Sequence, residues 1–133
     1  MKFTIPLAVF ASSLIGCANP SASPASSTTP EPAVVVTVDY TALTGQGDAL
    51  HAALRPLLAE VRKEPHFLGI QVLRNGQEPD RILLVEQWAD VAYYTDPHGT
   101  TPHLDAFKAA AMPLLAGPPT VTLWPDVEEV VAP

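Results

Sequence analysis

Four side chains in one short window carry the chemistry this chain could do. Trp88, Tyr94, His98 and His103 all lie between Glu86 and Phe107. An imidazole has a reference pKa near ~6.5 and can take a proton at neutral pH, so either His98 or His103 could serve as a base. The indole N–H of Trp88 and the phenol O–H of Tyr94 are donors, able to stabilise the anion that a departing proton leaves behind. Leu84, Tyr93, Phe107 and Leu68 could supply apolar walls, as small-ligand pockets usually have. A base, donors and apolar walls could together take a proton from a small molecule and stabilise the anion left behind. Each residue also has a structural reading. Trp88 can be core, His103 can cap or pack at a helix start, and Glu86 can hold a hydrogen bond or an ion pair. His51 and His66 read as solvent-facing. No metal site is expected, because His98 and His103 are separated by a proline break and no His-Glu-x-x-His pattern occurs.

The elements that would position these residues are legible from periodicity. Val34 to Tyr40 is rich in β-branched residues and reads as a well-covered strand. Leu50, Leu54, Leu57 and Val61 form a helical stripe, with Asp48 or Thr44 as a cap, and Pro56 is expected to bend or interrupt that helix near Ala52. Phe67–Leu73 and Arg81–Trp88 read as an antiparallel pair, joined through Asn75-Gly76 and Glu78-Pro79-Asp80. Asp90 caps a short helix through Tyr93 and Tyr94, and Asp96-Pro97 ends it. Thr101-Pro102 opens another helix, with the Thr101 hydroxyl expected as its cap and proline at the first position, where its missing N–H costs nothing. Leu104, Phe107 and Ala111 form its buried stripe. Thr120–Trp124 is the fourth strand, and residues 127–133 are a tail or a short edge strand. The order βαββαβ predicts an α+β, ferredoxin-like fold, an antiparallel sheet with two helices on one face. The other face needs cover that so short a domain cannot supply, so a homodimer is expected.

Upstream of this domain the chain reads as an address and a tether. Lys2 precedes an apolar run from Phe3 to Ile15, too short to span a bilayer, which needs about 20 apolar residues. The pattern describes an export signal over residues 1–16. Leu14-Ile15-Gly16-Cys17 resembles the bacterial lipobox, which implies lipidation of Cys17, the only cysteine in the chain. Multiple acyl chains would anchor the protein to a membrane. Ala18 follows, and the aspartate that retains such proteins at the inner membrane in enteric bacteria is absent. The expected location is therefore the bacterial cell envelope, at the outer membrane facing the periplasm. Residues 17–33 are Ala, Ser, Thr and Pro with one charge, Glu31, and could reach roughly 50 Å as an extended tether.

The 133 residues suffice for one folded domain, here residues 34–126. The formal charge of −7 excludes nucleic acid as an expected partner, since that needs a basic stripe.

Several stretches together resemble the antibiotic biosynthesis monooxygenase (ABM) domain. They are Leu54-Arg55-Pro56-Leu57-Leu58-Ala59-Glu60-Val61-Arg62-Lys63-Glu64-Pro65, Glu86-Gln87-Trp88-Ala89-Asp90, His98 and Thr101-Pro102-His103-Leu104. The resemblance covers roughly residues 36–124 and implies a dimeric α+β barrel. It implies a cofactor-independent oxygenase for quinols, anthrones or similar polyphenols, whose anions react directly with O₂. Tyr94 matches the tyrosine such enzymes place six residues after the tryptophan. Two positions depart from the family pattern. His66 stands where the family often has glycine after Glu-Pro, and Leu84 stands where anthrone oxygenases have asparagine. A non-catalytic module binding a small aromatic molecule is the alternative. A haem-binding or haem-degrading relative fits less well, because Val34 to Tyr40 lacks the asparagine those members use.

Overall fold

The computed structural model describes residues 32–132, so Cys17, the expected export signal and nearly all of the tether lie outside the described residues. Four strands, β1 (Val34–Thr41), β2 (Phe67–Asn75), β3 (Glu78–Trp88) and β4 (Thr120–Trp124), form one antiparallel sheet in the order β2-β3-β1-β4. The described residues also form three helices, α1 (Gly47–Val61), α2 (Val91–Thr95) and α3 (Pro102–Ala111); a 3-10 turn at His98–Thr100 lies between α2 and α3, and another at Met112–Leu114 follows α3. This is the expected ferredoxin-like α+β arrangement.

Alternation decides which face is covered. On β1, Val34, Val36, Val38 and Tyr40 are buried, and on β3 so are Ile82, Leu84, Glu86 and Trp88. Strand residues two apart share a face, so these eight point together at the helices. Leu50, Leu54, Leu57 and Val61 of α1 meet them, and Phe107 and Ala111 of α3 complete the core.

Several local expectations are corrected. Pro56 lies inside α1 without interrupting it. It sits on the exposed face, and burying the four-residue apolar stripe, at about 1.5–3 kcal/mol per side chain, outweighs the roughly 3 kcal/mol a mid-helix proline costs. Neither Asp48 nor Thr44 caps α1. The Asp80 carboxylate of the β2–β3 hairpin accepts instead from the N–H groups of Gly45 (3.0 Å) and Gly47 (2.9 Å), while Asp48 pairs with Arg74. Of the later starts, that of α2 is capped as expected and that of α3 is not. Asp90 accepts from the Tyr93 N–H, and Pro102 opens α3. Thr101 precedes it, but its hydroxyl donates to the His98 carbonyl and caps nothing. Among the described residues, 125–132 form no further strand. Among the described residues no helix is long and apolar enough to cross a membrane.

Candidate active site

The site begins with a carboxylate just past the end of α1. The Glu64 side chain is 5% exposed. It accepts from His98 Nδ1 at 3.0 Å, from His103 Nε2 at 2.5 Å and from the Tyr93 hydroxyl at 3.1 Å. Those three donors come from the 3-10 turn, from α3 and from α2, so one carboxylate gathers three separate pieces of chain. Held at Nδ1, His98 turns its other nitrogen away from Glu64. Its ring stacks on Tyr94, with centroids 5.2 Å apart, and tilts against Trp88 at 4.7 Å.

Beside these rings lies a cavity of about 620 Å³. Val38, Tyr40, His98 and Phe107 are buried residues of its lining, and Tyr94 and Leu104 are half-buried ones. No buried side-chain nitrogen or oxygen among the described residues lacks a partner. The Tyr40 hydroxyl, the Tyr94 hydroxyl and His98 Nε2 bond to no described residue, and all three side chains line the cavity. They are therefore the polar atoms open to it. Burial, with Glu86 nearby, pushes the phenols of Tyr40 and Tyr94 well above the usual tyrosine range. Both remain protonated and able to donate at any physiological pH.

Behind the tyrosines stands a second buried acid. Glu86 accepts from Trp88 Nε1 at 3.0 Å, and burial raises its pKa above the usual carboxylate range. Trp88 is wholly buried. Its indole N–H is thus spent on Glu86 and not presented to the cavity, which corrects its expected role as a substrate donor.

The window's candidates separate accordingly. Tyr94, His98 and Phe107 come together around the cavity. His103 does not line it and reaches it only through Glu64. Tyr93 was expected as a wall, but its hydroxyl goes to Glu64 and its ring packs on His66. Leu84 was also expected as a wall and is buried in the general core. Leu68, the fourth expected wall residue, sits at the β2 bulge away from the lining. His66 is exposed as expected, whereas His51 is half-buried. Among the described residues no group of three or more His, Cys, Asp or Glu side chains is placed to hold a metal ion.

Two site residues escaped the sequence reading. Tyr40 hides in a valine strand, although a buried phenol hydroxyl needs a partner or an opening. Glu64 had a signal too. An acid at a helix C-terminus opposes the helix dipole, so it calls for cationic or donor partners from elsewhere.

The family model for antibiotic biosynthesis monooxygenase matches residues 33–110, the span that holds Tyr40, Glu64, Glu86, Trp88, Tyr94, His98 and His103. The chain belongs to the antibiotic biosynthesis monooxygenase family. Among solved structures, PA3566 from Pseudomonas aeruginosa is 24% identical with a TM-score of 0.65, over 75% of this chain and 98% of that one. Rv0793 from Mycobacterium tuberculosis is 20% identical with a TM-score of 0.64, over 74% and 98%. SO0527 from Shewanella oneidensis is 24% identical with a TM-score of 0.62, over 71% and 91%. At these identities the likeness is one of fold. No curated protein is significantly similar to the chain. The positive φ of His66 (65°) explains the glycine common in the family at this place, since the left-handed region suits glycine.

Proposed function

We propose that the protein is a cofactor-independent monooxygenase that oxidises a quinol, anthrone or similar polyphenol. The observation that carries this reading is His98, with Nδ1 tied to a buried carboxylate and Nε2 open to an apolar cavity beside two free phenol hydroxyls. The Glu64 carboxylate favours the tautomer with hydrogen on Nδ1, which leaves Nε2 as the base. His98 takes the substrate's acidic proton, and the Tyr94 and Tyr40 hydroxyls donate to the resulting oxyanion. The anion is electron-rich enough to reduce O₂ directly. One oxygen atom enters the substrate and the other leaves as water, with the substrate as the only reductant. We further propose that the domain works at the cell envelope on a lipid anchor at Cys17, as a homodimer joined through the uncovered sheet face.

Oxygen uptake with a panel of hydroquinones and anthrones tests the reading. Uptake should depend on substrate and fall by about 10²–10⁴ in His98→Ala. Tyr94→Phe should lower it by about 10²–10³, the range for an oxyanion donor. Absence of uptake with every member of the panel overturns the oxygenase reading. It would leave a module that binds an aromatic molecule, the reading favoured by the buried, apolar Leu84 where anthrone oxygenases carry asparagine.

A further inference from the structure

The cavity does not close at its mouth. Its inner lining is buried, but two of its apolar outer residues are not. Met112 is 72% exposed and Val121 48%. Two residues beyond Val121, on the same face of β4, Leu123 is 37% exposed. α3 packs on α1, and among the described residues the helix-side face of β4 is left largely uncovered. An apolar trough therefore runs on from the cavity along β4. Lys108 is the one permanently charged residue of the lining, and it is engaged with the Gly99 carbonyl and Asp105.

The volume is also too large for one ring. At about 30 Å³ for each water-sized atom, 620 Å³ holds on the order of twenty heavy atoms, and a hydroquinone with about eight fills less than half of it. We propose that the substrate is a hydroquinone or phenol bearing a long apolar chain. Its ring lies at Tyr40, Tyr94 and His98, and its chain leaves over Met112, Val121 and Leu123. This rests on the reading above for the ring and extends it to the chain. A fused polycycle would fill the cavity yet leave the trough bare. A second copy on the uncovered sheet face would lie on the side opposite Val121 and Leu123. The thioether of Met112 is flexible enough to follow a chain of variable conformation.

The test is a series of 4-alkylphenols, which bind without needing to be oxidised. Kd is read from tryptophan fluorescence below the micellar concentration of each compound, with oxygen uptake measured for methyl- and decylhydroquinone. Affinity should rise by about fourfold per methylene at first and level off near ten carbons. The ratio of decyl to methyl affinity should fall by about tenfold in Val121→Ser and clearly in Leu123→Ser. Chain-length dependence of Kd without any oxygen uptake would sink the oxygenase reading and sustain this one. Equal affinities along the series overturn the proposal. So does a tricyclic phenol that binds more tightly than an alkylphenol of equal size. A changed solution mass in Val121→Ser, with chain-length dependence intact, would also overturn it and assign the trough to a second copy.

Discussion

At the scale of single residues, the two acids of the site differ in their partners. Glu64 gathers three donors, whereas Glu86 has only the Trp88 indole and its burial raises its pKa. Glu64→Gln removes the charge and offers an amide N–H where His98 or His103 needs an acceptor. The variant should lose about tenfold or more in kcat, because His98 is no longer fixed in its tautomer, and Glu64→Asp should recover part of the loss. Oxygen uptake measures the rate, and loss of the His98 Nδ1 proton resonance would report the freed ring. Glu86 gives a prediction in pH. A raised folded pKa means that its stabilising state is the neutral one, fully present below the unfolded carboxylate pKa and lost as pH rises through the folded value. Glu86→Gln keeps an acceptor for the Trp88 indole and cannot ionise. Its melting temperature should therefore exceed the parent's above that folded pKa, and the gap should close in acid. Thermal unfolding followed by circular dichroism across pH decides the matter, and a gap independent of pH would refute it. The residue types of the site were largely legible, but their wiring was not. Sequence order does not say that an acid after the first helix will reach 34 residues ahead to His98 and 39 to His103.

At the scale of elements, the positions of helices and strands were legible, because the burial patterns of β1, β3 and α1 repeat the alternation and the stripe in the chain. What it concealed were long-range substitutes for local devices. The first helix looks as though it should be capped by its own Asp48 or Thr44, yet Asp80 on the hairpin does the capping, a partner that periodicity cannot reveal. The same contact forces the hairpin against the helix start. A Cβ on Gly47 would stand 2.1 Å from the Pro79 carbonyl oxygen. Gly47→Ala should therefore destabilise the protein by about 1–3 kcal/mol, the usual cost of overpacking, even though alanine is the better helix former. Urea unfolding should show a lower midpoint with an unchanged slope. An unchanged midpoint would mean that the hairpin yields freely and that Asp80 is not what fixes the helix start.

At the scale of the whole molecule, the three helices of the described residues lie on one side of the sheet, and the other side is only partly polar. Val35, Leu83 and Val85 are half-buried there, with Leu73 46% and Trp124 49% exposed. Thr37, Gln71, Gln87 and Thr122 alternate with them, and the Trp124 indole donates to the Thr37 hydroxyl across the face. A face of this composition can meet its own image, and a stable interface needs about 800 Å² from each partner. Wild-type protein should then run as two copies in light scattering at micromolar concentration. Val85→Asp places a charge at the centre of the face with no partner, and leaving a charge buried and unpaired costs about 3–5 kcal/mol. That variant should run as one copy and keep its far-ultraviolet spectrum. Because the cavity lies between the helices and the opposite side of the sheet, the single-copy variant should still bind an alkylphenol with nearly its original Kd. If wild-type protein is a single copy, the sheet face is not an interface. If Val85→Asp separates the copies and abolishes binding as well, the partner shapes the cavity, and the site must be read as a property of the pair.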